Sequence, residues 1–421
     1  MQSSPVEITI ERIASEGDGM GRLDDNMVFV PGALAGETVV AQGEPPRLDL
    51  AFVTTPSPHR TEPACCHFSH CGNCTFQHLA YDQQLIWKRE QVLHALRKEK
   101  VRANVEPCMA SPMASRRRVT FTAQREKHGV ILGYMGRASH DLVNVTTCPI
   151  ALPEIVKGLE TYRALCSCLL RGRERIQLMV SAFENGLDLA FTLESEPSED
   201  MLAAFTRAFA RTGYLRASIN GNVIVEREKP IARFGGSTVS PPPGGFLQAV
   251  EEAEEAMAAL VCGHLQKAKR VVDLFCGSGT FALRLAAQSK VTGVEGEGRA
   301  VDSLSKAITA PGTKPVKALA RDLDQLTMTA SELKPFDGLC LDPPRAGALP
   351  QVQEIVKASI PRVAYVSCNP QTFARDAAVL VKGGYVLENV VPIDQFVSST
   401  HVEVVGLFTK ARAKKKRSIF R

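Results

Sequence analysis

The chain has 421 residues, 44% of them hydrophobic and 23% charged, with a formal net charge of +5 and a pI near 8.6. That length exceeds one ordinary core, so two or three domains are expected, and the composition excludes a disordered or fibrous chain. No stretch approaches the roughly 18 apolar residues of a membrane span and the start MQSSPVEITIERIASEG lacks a basic leader, so the reading is a cytoplasmic protein with no membrane partner. The mild positive charge permits a nucleic-acid partner without demanding one.

The first 55 residues alternate as short strands. VEITIERI is one, a glycine turn follows at Gly17–Gly21, and MVFVPGALAGETVVAQ gives two more. Short strands with glycine turns at this density point to a small barrel. GEPPRLDLAFVTTPSPHRTEP reads as a strand followed by a proline-rich linker.

CCHFSHCGNC comes next, and places Cys65, Cys71 and Cys74 at C-x5-C-x2-C spacing. A two-residue gap lets a pair of thiolates converge on one metal centre. Twelve cysteines in such a chain read as metal ligands, catalytic thiols or core rather than disulfides. Cys148 in TTCPI is the best fourth ligand, with Cys66 and Cys108 as rivals. Spacing alone leaves zinc and an iron–sulfur cluster both open.

Tyr81–Glu99 has helical periodicity, and SRRRVTFTAQ is a strand with a basic head, Arg116, Arg117 and Arg118. Those arginines are a solvated strand end or a phosphate contact. Further strands follow in GVILGYMGRASHDLVNV, RIQLMVSAF and GLDLAFTLE, with a helix in SEDMLAAFTRAFART. SPPPGG, Ser240–Gly245, is a stiff boundary before the last domain.

From Phe246 strands and helices alternate. VVDLFCGSGTFALRLA reads as strand, Gly277-Ser278-Gly279 turn and helix, the first unit of an open α/β sheet. With G-x-G but no third glycine there is no pyrophosphate cradle, which points to S-adenosylmethionine (SAM) rather than NAD or ATP. KVTGVEG, KPVKALARDLD, DGLCLDPPRAG and RVAYVSCNP supply the next strands, and GYVLENVVPIDQF with HVEVVGLFTK closes the sheet as an antiparallel pair. Asp273, Glu295, Asp322, Asp342 and Cys368 fall at or near strand carboxyl ends, where such sheets bind ligands. Glu295, about 20 residues after the turn, suits a ribose diol. The basic tail Lys410–Arg421 reads as a solvated end or a weak RNA arm.

LDPPR resembles the loop after strand four of methyltransferases that act on bases, with Arg345 where amino-group methylases carry a stacking aromatic. Carbon 5 of a pyrimidine is a poor nucleophile. A thiolate that adds to carbon 6 turns it into an enolate-like centre, and a base must then remove the carbon-5 proton. Cys368 can supply that thiolate and Glu403 that base.

Together YVSCNPQTFARD, LDPPRAG, DLFCGSGTF and HVEVV resemble the motifs of the RNA uracil-5-methyltransferase family. The cysteines resemble those of its [4Fe–4S]-bearing members, and GDGMGR with FVPGALAGE resembles a TRAM domain, a small RNA-binding barrel. The resemblance implies an α/β fold: a class I, Rossmann-like SAM-dependent methyltransferase domain at 246–421. Before it stand a TRAM-like β-barrel at 1–56 and a mixed, β-rich central domain at 57–77 plus 109–245 carrying the cluster. The helical segment 78–108 would pack on the catalytic domain. It implies Cys368 as nucleophile and Glu403 as base. Gln248, Phe275, Gly277, Thr280, Glu295, Asp322 and Asp342 would hold SAM. Asp342 would also touch the uracil, with Phe246 and the three arginines toward RNA. Cys65, Cys71, Cys74 and Cys148 would hold the cluster in a structural role. TRAM domain and cluster together resemble the branch acting on 23S ribosomal RNA; separately, nothing in the sequence suggests more than a monomer. Asn73, Thr280 and Val250 depart from the family pattern and none touches the catalytic pair. Alternatives are a tRNA uracil-5 or RNA cytosine-5 methyltransferase, or an inactive TRAM and metal RNA-binding protein.

Overall fold

Alternation in VEITIERI puts Ile8 and Ile10 on one side of the first strand, where both are buried. The structure, a computed structural model, describes residues 4–137 and 139–411; the basic tail from residue 412 lies outside them. Five strands, β1 (Val6–Ile13), β2 (Gly19–Leu23), β3 (Asn26–Val30), β4 (Thr38–Gln42) and β5 (Asp49–Thr55), pair antiparallel in the order β3-β2-β1-β4-β5. The outer edge of β3 is closed by the segment before β5. The Phe29 N–H donates to Pro46 O (2.7 Å) and the Leu48 N–H to Phe29 O (2.8 Å). Closure removes the free edge and makes a small barrel around Ile8, Val28, Val39 and Ala41. Buried Glu37 straps the following linker to it, accepting from the Ser57 N–H (3.1 Å) and from Arg60 Nε (2.6 Å).

Helix α1 (Tyr81–Lys98) then crosses to the far end of the chain. Val92, Ala95 and Leu96, at helical spacing, enter the same core as Phe373, Ala377 and Val390. Each buried Val or Leu here stabilises by about 1.5–3 kcal/mol, and each Ala by less.

The central sheet contains β6 (Arg118–Glu126), β7 (Gly129–Met135), β8 (Leu142–Asn144), β9 (Arg175–Phe183), β10 (Gly186–Thr192), β11 (Arg216–Ile219) and β12 (Asn222–Glu226), in the order β12-β11-β10-β9-β6-β7-β8. Helices α2 (Pro153–Lys157), α3 (Leu159–Leu169) and α4 (Glu199–Phe209) accompany it, and Tyr162, Leu165, Phe205 and Phe209 fill the core shared with Phe121 and Phe191. Neither α2 nor α3 is among the elements expected from sequence, although Leu159, Tyr162, Leu165, Cys166 and Leu169 recur at helical spacing, and the two helices are separated by Gly158. It sits there because a Cβ would lie 2.3 Å from the Tyr162 ring.

A hairpin, β13 (Ala232–Phe234) and β14 (Ser237–Val239), and helix α5 (Glu251–Leu265) lead into the last sheet. Its strands are β15 (Arg270–Leu274), β16 (Lys290–Glu295), β17 (Val316–Ala320), β18 (Gly338–Leu341), β19 (Arg362–Ser367), β20 (Tyr385–Ile393) and β21 (Glu403–Lys410). Their order is β17-β16-β15-β18-β19-β21-β20, parallel except that β21 runs against both β19 and β20. The connecting helices are α6 (Ala282–Leu285), α7 (Gly298–Ser305), α8 (Ala330–Leu333), α9 (Leu349–Ala358) and α10 (Pro370–Lys382). Both faces are covered, so β15, β18 and β19 read as apolar runs. Val271 faces α5, and Val272 faces the side of α1 and α10. The apolar segment after the glycine turn closes only the four-residue α6, much shorter than its periodicity predicts. The strand order reverses between β15 and β18, which opens a crevice beyond their carboxyl ends. Among the described residues no helix is long and apolar enough to cross a membrane.

Candidate active site

A cavity of about 570 Å³ occupies that crevice. Four neighbouring strands deliver its chemistry. Asp342 follows β18 and Cys368 follows β19, while Glu403 is the first residue of β21. Because β21 runs antiparallel, its start lies at the edge where the parallel strands end.

The glycine turn after β15 forms one wall. Phe275, Gly277 and Gly279 take positive φ (60°, 54° and 103°), which glycine adopts without strain and phenylalanine does not. The Gly277 N–H donates to Glu295 Oε2 (2.9 Å) and the Glu297 N–H to Oε1 (2.9 Å). Glu295 is thus oriented by backbone, and each oxygen keeps lone-pair capacity for a ribose hydroxyl. Thr280 and Gln248 line the same cavity.

Asp322 is not on the wall. Its Oδ1 accepts from the Asp324 N–H (3.0 Å) and the Gln325 N–H (3.3 Å), capping the turn after β17, and Asp324 faces the cavity instead. Asp273 is likewise off the wall. It is enclosed within β15, where burial pushes its carboxyl up to about 7.

The three arginines divide by strand alternation. Arg116 and Arg118 reach the cavity, with guanidinium carbons 5.7 Å from the Phe396 ring and 5.6 Å from the Phe246 ring. Arg117 points the other way and is buried. It donates to Gln248 O (3.0 Å) and Glu254 Oε2 (2.6 Å), tying the head of β6 to α5. Neither the solvated strand end nor the phosphate contact applies to Arg117.

Residues outside the sequence motifs complete the site. Gln395 Nε2 donates to Glu403 Oε1 (3.2 Å) and to Gln248 Oε1 (2.8 Å), and Gln248 Nε2 donates to Asp342 Oδ2 (3.3 Å). Two amides thereby join two carboxyl groups. Burial pushes Glu403 up to about 7, against the Gln395 hydrogen bond. Enclosure raises Asp342 well above the carboxylate range, with Glu403 and Asp273 adding to the effect. Burial lifts the Cys368 thiol to about 11, helped by Glu403 and Asp342 and opposed by a backbone hydrogen bond and Arg345. Burial thus holds the Cys368 thiol and the Asp342 carboxyl toward their neutral forms, while Glu403 titrates near 7. A thiol and two carboxyl groups stand on one wall.

Cys65, Cys71, Cys74 and Cys148 line a second, smaller cavity, with Tyr134, Val119 and Arg116. The rivals stand apart: Cys66 is exposed, and Cys108 is buried in the α1 core. The Gly72 N–H donates to Met135 O (2.9 Å), and the Thr75 and Phe76 N–H groups to Ser398 O (2.7 and 2.9 Å). The loop is thus tied to β7 and to the edge of the first cavity. Among the described residues no three His, Cys, Asp or Glu side chains are placed to hold a single metal ion.

Comparison with known proteins follows the same division of the chain. The tRNA (Uracil-5-)-methyltransferase family profile matches residues 241–412 and that of the TRAM domain residues 1–42. The chain is 42% identical over 407 residues to an uncharacterised RNA methyltransferase of Brucella suis, covering 96% of this chain and 98% of that one. It is 31% identical over 420 residues to the 23S rRNA (uracil(1939)-C(5))-methyltransferase of Pectobacterium atrosepticum, covering 95% and 93%. Its fold is similar to that of the Pyrococcus abyssi tRNA (uracil-54, C5)-methyltransferase solved with S-adenosyl-L-homocysteine. That likeness has a TM-score of 0.74 at 20% identity and covers 96% and 99% of the two chains.

Proposed function

The chain belongs to the TRAM-containing RNA uracil-5-methyltransferases, and on that premise we propose that it methylates carbon 5 of a uridine in 23S ribosomal RNA through a covalent Cys368 adduct. The observation that carries this reading is the meeting of Cys368, Asp342 and Glu403 on one cavity wall.

The target base is flipped from its stack to reach them. Cys368, once deprotonated, forms a bond to carbon 6, and the displaced electron pair passes to carbon 5 and the carbon-4 oxygen. Asp342, which burial holds toward its neutral form, suits that oxygen, an acceptor in uracil, where cytosine would present an amino donor. SAM supplies an electrophilic methyl group on a sulfonium centre. Carbon 5, activated by Cys368, would be the acceptor of that methyl group. Glu403 then removes the carbon-5 proton, the double bond re-forms and the Cys368 thiolate leaves.

Glu295, Gly277, Phe275, Thr280 and Gln248 would hold SAM, with Asp324 in the place given to Asp322. Arg116, Arg118 and Phe246 would meet the RNA at the mouth. A [4Fe–4S] cluster is the group proposed for the cysteine cavity, and what supports it is that all four cysteines line that one cavity. Cys65, Cys71, Cys74 and Cys148 would be its ligands. Its role is structural, since the loop ties β7 to the active-site edge.

The ribosomal substrate is supported by full-length similarity to the Pectobacterium enzyme. Mapping 5-methyluridine in RNA from cells with and without the protein tests it. Loss of one 23S site is expected; loss confined to tRNA, or of 5-methylcytidine, would overturn the substrate.

A further inference from the structure

Three buried polar side chains outside the sequence motifs converge behind the proposed base. Lys88, fully buried on α1, pairs with Asp394 and donates to Phe396 O (2.8 Å). Asp394 Oδ1 also accepts from the Phe396 N–H (3.1 Å). Gln395 lies between these two residues, and its side-chain amide spans Glu403 and Gln248.

A buried ion pair is weak grounds for stability, because desolvation offsets most of its attraction. Here burial alone would lower the Lys88 pKa, and Asp394 works against that. What the pair fixes is place. It joins residues 306 positions apart and pins the turn between β20 and β21 that carries Gln395. A glutamine on a loose turn would aim its amide poorly; one clamped on both sides is preorganised.

We infer that Gln395, clamped by the Lys88–Asp394 pair, is a positioning residue for proton removal from carbon 5: its amide N–H aims Glu403 and favours its carboxylate form. This rests on Glu403 being the base, as proposed above. The other groups around Glu403 push differently. Asp342, after β18, and Cys368, after β19, carry no positive charge. Arg345 opposes the rise of the Cys368 thiol, and His401 is held toward its neutral form by burial and by Arg345, Lys88 and Arg116. The Gln395 hydrogen bond is what counters burial at Glu403.

The sign follows. An N–H that donates to a carboxylate favours the charged form, so its removal raises the Glu403 pKa and lowers the fraction of base at a given pH. Gln395→Met keeps the volume and removes the donor. In single-turnover reactions of the full chain with RNA and SAM, the covalent adduct is followed on denaturing gels on both sides of pH 7. Gln395→Met is expected to slow adduct decay about tenfold, more than it slows adduct formation, and to move the pH midpoint of decay upward. A purely structural role would not move that midpoint. The double variant Lys88→Met/Asp394→Asn removes the clamp without stranding a charge, and should slow decay in the same direction. Glu403→Gln separates the two readings. If Glu403→Gln stalls decay while Gln395→Met decays as the parent does, the inference fails and the base assignment stands. If Glu403→Gln does not stall, both fall. Parent-like decay in the double variant would overturn the clamp.

Discussion

Two cavities meet at Arg116, and they are built in opposite ways. In the larger one the reactive groups are set by sheet topology, at the ends of β18 and β19 and the start of β21. In the smaller one three of four cysteines come from a single loop between the barrel and α1. The first places groups through a rigid scaffold, so a wrong residue there costs chemistry. The second gains its shape from what the loop is tied to, so a wrong residue there costs structure. Arg116 lines both walls.

The largest expected effect is at Cys368. Cys368→Ala should reduce methyl transfer more than about thousandfold, as loss of a covalent nucleophile does. SAM affinity measured by calorimetry should change little. Retained turnover would remove Cys368 from the mechanism. The matching change in the second cavity is Cys74→Ser. With the proposed cluster lost, the unfolding midpoint should drop by more than about 5 °C. A colourless, zinc-containing anaerobic preparation, or an unchanged midpoint, would break the contrast between the cavities.

Titration sharpens the chemistry of the first cavity. With Glu403 raised to about 7, its base form dominates above that pH and is lost below it. Breakdown of the trapped adduct should therefore slow about tenfold for each pH unit on the acid side. A flat profile across that range would assign proton removal to another group.

Arg116 and Arg117 are adjacent in sequence and should fail differently. Arg117→Met leaves Glu254 with Arg284 as its remaining buried partner, and should cost about 3 kcal/mol of stability. Arg116→Ala should leave stability nearly intact, weaken RNA binding severalfold and reduce the salt dependence of binding by about one ion. If both variants lose RNA affinity equally, alternation does not separate their roles.

The parallel strands were legible in sequence because buried strands are apolar runs punctuated by polar residues at one edge. Asp342, Cys368 and Glu403 can be placed by counting those strands, and the antiparallel return of β21 explains why a residue at a strand's start joins residues at strand ends. The small antiparallel sheet was legible in part: glycines mark the loops at Gly32, Gly36 and Gly43, but Gly19 and Gly21, read as part of a turn, lie inside β2, and Asp24 and Asp25 make the next reversal. Gln395 was not legible. A glutamine in a turn has no periodicity, and its clamp partner Lys88 lies on a helix elsewhere in the chain. Helix α3 was legible in principle, since Leu159, Tyr162, Leu165, Cys166 and Leu169 recur at helical spacing, whereas the close approach of Gly158 to Tyr162 is a contact that no local pattern reveals. The burial of Arg117 depends on α5, and a run of three arginines looks the same whichever one turns inward.

The smallest expected effect concerns two aspartates beyond β17. Asp322 spends its carboxylate on its own turn, accepting from Asp324 and Gln325, whereas Asp324 faces the cavity. Asp322→Asn keeps a side-chain oxygen for those two N–H groups, so SAM affinity should stay within about twofold. Asp322→Ala removes the cap and should cost about 1 kcal/mol of stability, as lost caps and hydrogen bonds do. Asp324→Ala leaves the turn capped but strips an acceptor from the wall. It should weaken SAM binding about threefold to tenfold, the range of one modest hydrogen bond. Calorimetric titration of the three variants orders them. If Asp322→Asn loses more affinity than Asp324→Ala, the cap must open when the cofactor binds, and the acidic contact belongs to Asp322.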